Sequence, residues 1–108
     1  MKQPKFIICD NTLITGVVEL HKDLVKKQMC TIDGGGFWHM VKEDNVMILY
    51  GTSQDFKRAT YEKIYNAITT GRVSISMSKI SYFHTVFSSL EYALQDYNNN
   101  KDKIFKRE

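Results

Sequence analysis

His21 stands at a change of period, where a β-branched run gives way to residues at helical spacing. At a helix start the N–H groups of His21 and Lys22 lack intrahelical partners, and such a terminus attracts phosphate. The same positive end disfavours an imidazolium, so the ring stays neutral and can accept a proton or attack phosphorus. A second element is Asp33-Gly34-Gly35-Gly36. Its glycines permit φ > 0 and leave the N–H groups of Gly35 and Gly36 open to an anion or another chain. The third is Gly51-Thr52-Ser53, small and hydroxylic. Together these residues offer the chemistry of phosphate handling. Singly, each also has a plain reading: a glycine-rich loop, a polar turn, a structural histidine.

The elements that must position them follow from period and turn chemistry. Phe6-Ile7-Ile8-Cys9 is an apolar strand after Pro4, and Asp10-Asn11 turns it into a second strand over Thr12 to Leu20. Helix one is expected from His21 to Cys30, with Leu20, Leu24 and Gln28 in a stripe beside Val17, Val25 and Met29. Asp23 in its first turn and Lys26 and Lys27 near its end suit the helix dipole. After the glycines a strand runs to Lys42, turns at Glu43-Asp44-Asn45 and returns as Val46 to Tyr50. That hairpin brings the glycines and Ser53 to one end of a sheet. Phe37, His39 and Val41 share one face of the outgoing strand and Trp38, Met40 and Lys42 the other, so it is a central strand.

Helix two is expected from about Arg58 to Thr70, with Tyr61, Ile64, Tyr65 and Ile68 inward and Gly71 as the residue past its end. Arg72-Val73-Ser74-Ile75-Ser76-Met77 alternates as a half-buried strand. A last helix carries Val86, Leu90, Ala93, Leu94 and Tyr97 on one side and stops at Asn98-Asn99-Asn100. The order ββαββαβα is α+β: a single domain over 1–97, a mixed sheet packed with helices, then a polar tail over 98–108 expected to fray.

With 108 residues, 43% hydrophobic and 25% charged, the chain has the composition of one ordinary globular domain. A net charge of +3 suits an anionic ligand and is too weak to indicate nucleic acid. Cys9 and Cys30 lie in apolar stretches without metal spacing and read as buried free thiols in a reducing compartment. No signal peptide is visible, and no apolar run approaches the roughly 18 residues of a membrane span, so a cytoplasmic location is expected. His39 reads as a core or rim histidine and His84 as a residue of the connection to the last helix. With three histidines and no Glu-x-x-His or paired-cysteine motif, neither a metal nor another cofactor is expected.

Lys5-Phe6-Ile7-Ile8, Glu19-Leu20-His21-x-Asp23, Lys27-Gln28-x-Cys30, Gly34-Gly35-Gly36, Ile48-Leu49-Tyr50-Gly51-Thr52-Ser53 and Thr60-x-Glu62-Lys63-Ile64 occur in a familiar order. In order and spacing this chain, over about residues 5–77, resembles the phosphohistidine phosphatase (Janus) family. The resemblance implies a compact sheet-and-helix fold and a metal-free phosphatase acting on phosphohistidine in proteins. It implies that His21 is catalytic, that Lys5 steadies the phosphate, and that Ser53 and its loop through Asp55 border the substrate. Lys5, His21 and Ser53 should then converge on one shallow cleft.

Two departures bear on this. The family carries an arginine in the strand before the histidine and another directly after the glycines, where this chain has Leu13 and Phe37. Asp55 replaces a small residue of the family's loop, adding negative charge beside the expected anion. The terminal helix has no counterpart. A second reading is therefore a non-catalytic relative that binds a phosphorylated or acidic partner. In either case the ligand is a phosphorylated protein or a small phosphorylated molecule.

Overall fold

A computed structural model describes residues 1–25, 30–74 and 80–107. Lys26, Lys27, Gln28 and Met29 of the expected helix one, and Ile75, Ser76 and Met77 of the expected strand, lie outside the described residues. Strands β1 (Gln3–Cys9) and β2 (Thr12–Val18) form the first hairpin. Its turn residues Asp10 and Asn11 have φ of 48° and 60°, the left-handed pair that a two-residue turn needs and that Asp and Asn tolerate. β3 (Ile32–Val41) and β4 (Val46–Tyr50) form the second. Then come α1 (Tyr61–Thr69), β5 (Arg72–Val73), β6 (Ser81–His84), α2 (Leu90–Asn99) and β7 (Phe105–Lys106).

The sheet runs β5-β2-β1-β3-β4-β6-β7. β2/β5 and β4/β6 are parallel and the other pairs antiparallel, so among the described residues the α+β fold carries a mixed, seven-stranded sheet with two α-helices. Alternation along the strands divides the core between its faces. On one face Phe6, Ile8, Leu13, Met47, Leu49 and Tyr82 pack against Ile64, Ala67 and Ile68 of α1. On the other, Ile7 and Cys9 pack under Leu24, while Val46, Ile48 and Phe83 pack under Ala93 and Tyr97 of α2. The Tyr97 hydroxyl donates to Asp44 Oδ2 at 2.5 Å, which ties α2 to the β3–β4 turn. No helix among the described residues is long and apolar enough to cross a membrane.

Several expectations are corrected. Helix one is, within the described residues, one 3-10 turn over His21–Leu24. Asp23 explains where it begins: its carboxylate accepts from the Leu20 N–H, and its own N–H donates to the Leu20 carbonyl, both at 3.0 Å. α1 starts at Tyr61, capped by the Thr60 hydroxyl accepting from the Lys63 N–H. Tyr61 and Tyr65, expected inside, are 50% and 41% exposed and stack with Phe105.

That phenylalanine belongs to the stretch expected to fray. Instead Asn98 and Asn99 finish α2, a 3-10 turn spans Lys101–Lys103, and β7 closes against β6. Arg107 then donates to the carbonyls of Ile68 and Gly71 at the end of α1. β6 itself was not anticipated: it is buried on both faces and shows no alternation.

Cys9 and Cys30 are joined in a disulfide, in place of two free thiols. Pairing of β1 with β3, shifted by a bulge after Ile8, brings their Cα atoms to 5.8 Å. The argument from free thiols to a reducing compartment therefore falls away.

Candidate functional site

The glycine triplet lies inside β3 and does not form an open nest. Each glycine admits a different close neighbour. Gly34, at φ 145°, lies beneath the backbone of Ala59, which a Cβ would meet at 2.6 Å. A Cβ on Gly35 would meet the Phe6 carbonyl at 2.6 Å and the His21 ring at 3.2 Å, and one on Gly36 the Tyr50 carbonyl at 2.5 Å. The Gly35 N–H donates to the Lys57 carbonyl at 2.9 Å, and its carbonyl accepts from the Ser53 N–H at 3.0 Å. The Gly35 amide is thus committed to the chain and is not presented to an anion. The requirement for glycine here is steric.

His21 lies over Gly35 and is only 2% exposed. Its Nε2 sits 2.7 Å from the Gly36 carbonyl, an acceptor, so Nε2 carries the proton and Nδ1 holds the lone pair. The Phe37 ring covers the imidazole edge-on, with centroids 5.4 Å apart. Burial lowers the imidazole pKa and the Lys5 charge adds to this, while the Gly36 hydrogen bond and the Asp55 carboxylate oppose it. The ring is neutral at pH 7. Burial, the largest of these causes, is what keeps it neutral.

Lys5 sits opposite Gly16 on one side and Phe37 on the other, so its side chain and the Phe37 ring share a sheet face. It is 8% exposed, and its ammonium donates to the Glu19 carbonyl. Among the described residues it makes no ion pair. Ser53 is also buried. Its Oγ accepts from the N–H groups of Asp55 at 3.1 Å and Phe56 at 3.0 Å, which folds the loop back on itself. Lys22 and Asp55 are exposed, and the Lys22 carbonyl closes the 3-10 turn by accepting from Val25.

β3 therefore holds His21 on the Gly36 carbonyl and Ser53 on the Gly35 carbonyl, with Lys5 on the neighbouring strand and Asp55 one turn of loop away. The shallow cleft expected there is closed: Lys5, His21 and Ser53 are all buried. The Phe37 ring packs over the His21 part of it. An open groove begins on its far side, of about 280 Å³, between Gln3, Pro4, Phe37, Tyr50, Ser88 and Leu90. The turn at 43–45 pairs Phe37 with Tyr50, and that arithmetic could have located the groove floor from sequence.

The other histidines stand apart from this centre. His84 packs on Tyr61 with centroids 5.7 Å apart. Its pKa falls to about 4, through burial first and the Arg58 charge second, with Asp96 opposing. His39 lines a separate surface depression with Lys42 and Tyr97. The ligand atoms of Cys9, Asp10 and Cys30 lie within 4.8 Å of one another, but the two sulfurs are bonded together. No protein-family model, curated protein or solved structure matches the chain.

Proposed function

We propose that this protein binds a phosphorylated protein partner, with phosphohistidine as the favoured group, at a centre formed by Lys5 and His21. The observation that carries this reading is Lys5, a residue 8% exposed whose ammonium donates to the Glu19 carbonyl and has, among the described residues, no counter-ion. A buried charge is costly unless paired, so such a position favours an incoming anion. The order of motifs shared with the phosphohistidine phosphatase family supports the same ligand. Binding without turnover is favoured by Leu13 and Phe37, which replace none of the bidentate, charge-assisted contacts of arginine. The Phe37 ring over His21 points the same way.

Hydrolysis is the second reading. A neutral imidazole whose Nδ1 keeps its lone pair could act as base toward water, or take the phosphoryl group itself. A phosphohistidine peptide incubated without added metal separates the two. Binding with the peptide recovered phosphorylated supports the first reading, release of phosphate that His21→Ala abolishes supports the second, and neither binding nor release contradicts both.

A further inference from the structure

The disulfide that closes the loop around His21 has a third group beside it. Asp10 follows Cys9 directly, and a carboxylate oxygen of Asp10 and the sulfurs of Cys9 and Cys30 lie within 4.8 Å of one another. Backbone pairing brings these donors together independently of the sulfur bond. Cys9 is fixed by pairing of β1 with both β2 and β3. Past the bulge, the Asp10 N–H donates to the Thr31 carbonyl and the Thr31 N–H donates to Asp10 Oδ1, both at 3.2 Å. That pair holds the residue after Cys30 against the turn in which Asp10 sits at φ 48°. None of these hydrogen bonds involves a sulfur, so they persist when the disulfide opens. A carboxylate that accepts one backbone N–H is oriented by it and keeps lone pairs for a cation.

Two thiolates and a carboxylate are a donor set for a borderline-soft divalent cation of the zinc type. Ligands at about 2.0–2.3 Å from a tetrahedral zinc lie roughly 3.3–3.8 Å apart, so small side-chain movements seat all three donors once the sulfurs are unbonded. We infer that Cys9, Asp10 and Cys30 form a zinc-type site when the disulfide is reduced. The loop that carries His21 is then closed by a covalent bond under oxidising conditions and by a metal under reducing ones. The electrons come from a dithiol reductant. It attacks through Cys30, the partly exposed cysteine; its second sulfur resolves the mixed disulfide, and it leaves as a cyclic disulfide while Cys9 and Cys30 become thiols. The cation then displaces the two thiol protons to solvent. Asp10 is exposed, which gives the cation a way in, and three protein ligands leave its fourth position to solvent. Neither Lys5 nor His21 takes part, so the site stands or falls apart from the phosphoryl reading.

The test is a titration of the whole protein with Co²⁺, whose charge-transfer absorption reports thiolate ligation, before and after reduction by a dithiol that is removed by desalting under nitrogen. The reduced protein should develop that band and release protons as it does so, Zn²⁺ should displace the cobalt, and the oxidised protein should show no band. Asp10→Asn removes the charged donor but keeps the turn, since asparagine tolerates the same φ and its Oδ1 still accepts from Thr31. Its affinity should fall at least about tenfold, since loss of even an outer-shell partner costs roughly that much. Asp102→Asn, in the 3-10 turn after α2, should bind as wild type does. Zn²⁺ should also raise the melting temperature of the reduced protein, as a ligand of the folded state must. Three results overturn the inference: no thiolate band in reduced wild type, equal affinity in Asp10→Asn, or a melting temperature that Zn²⁺ leaves unchanged or lowers, the mark of metal held by unfolded chains.

Discussion

The imidazole of His21 rests on Gly35, where a Cβ would lie 3.2 Å from the ring and 2.6 Å from the Phe6 carbonyl. The glycine is what lets a buried histidine come close against the central strand and reach the next carbonyl. Gly35→Ala should therefore cost about 1–3 kcal/mol by overpacking against backbone and lift the imidazole from Gly36. Denaturant unfolding gives the stability change, and the His21 ring resonances report the displacement. An alanine variant of wild-type stability would contradict this account of the triplet.

The Cys9–Cys30 bond closes a loop that contains the 3-10 turn and His21, with its ends 21 residues apart in sequence. A cross-link over such a loop is worth roughly 3 kcal/mol through restriction of the unfolded chain. Reduction, or Cys30→Ser, should lower the melting temperature accordingly. Identical melting with and without reductant would mean that the bond contributes nothing to the folded state.

His84 should make stability fall in mild acid. Its folded pKa of about 4 lies below the ordinary 6.5, through burial beside Tyr61 and the Arg58 charge, with Asp96 acting oppositely. As pH drops below 6.5 the unfolded chain takes up a proton that the folded protein refuses. Stability is thus fully present above 6.5 and is lost toward pH 4, on the order of 2–3 kcal/mol in all. His21, also lowered, contributes in the same direction. Unfolding free energies measured from pH 7 to 4 should fall less steeply for His84→Gln; parallel curves would exclude the assignment.

Phe37→Arg should place a cation beside Lys5 and uncover the imidazole. One charge-assisted contact is worth roughly 1.5–3 kcal/mol, so affinity for phosphate should rise about 10–100-fold. Phe37→Ala uncovers His21 without adding charge and should give a much smaller gain. If arginine and alanine behave alike, an added guanidinium does not strengthen binding.

How far the fold was legible depends on how local its causes are. Asp10-Asn11 and the 43–45 turn specify both hairpins by their own φ preferences, and the apolar stripe announces α1, although its start was set at Arg58 and not after the Thr60 cap. β6 and β7 depend on distant partners: β6 joins β4 in parallel, and β7 is two residues in a polar run, held by Phe105 against Tyr61, Tyr65 and Tyr82. The glycines looked like an open nest because sequence does not tell what crosses them. Once Ala59, His21 and Tyr50 are seen there, the same residues are packing devices. The disulfide was equally invisible, since it follows from the register of β1 against β3. His21 and Ser53 were legible from local chemistry and Lys5 only through a resemblance, but their burial was not legible, since it depends on neighbours such as the Phe37 ring against His21.

The central claim is that the Lys5 ammonium, without a counter-ion among the described residues, recruits a phosphorylated partner. Its most direct test is calorimetric titration of a phosphohistidine peptide into wild type and Lys5→Met, which keeps the apolar stem and removes the charge. Wild type should bind, with the peptide recovered phosphorylated, and Lys5→Met should bind at least about tenfold more weakly, the loss of one contact to a charged group. The variant should remain folded, since it keeps the apolar stem of Lys5 packed and gives up one hydrogen bond, to the Glu19 carbonyl. Equal binding by the two folded proteins, or no binding by wild type, would contradict the claim.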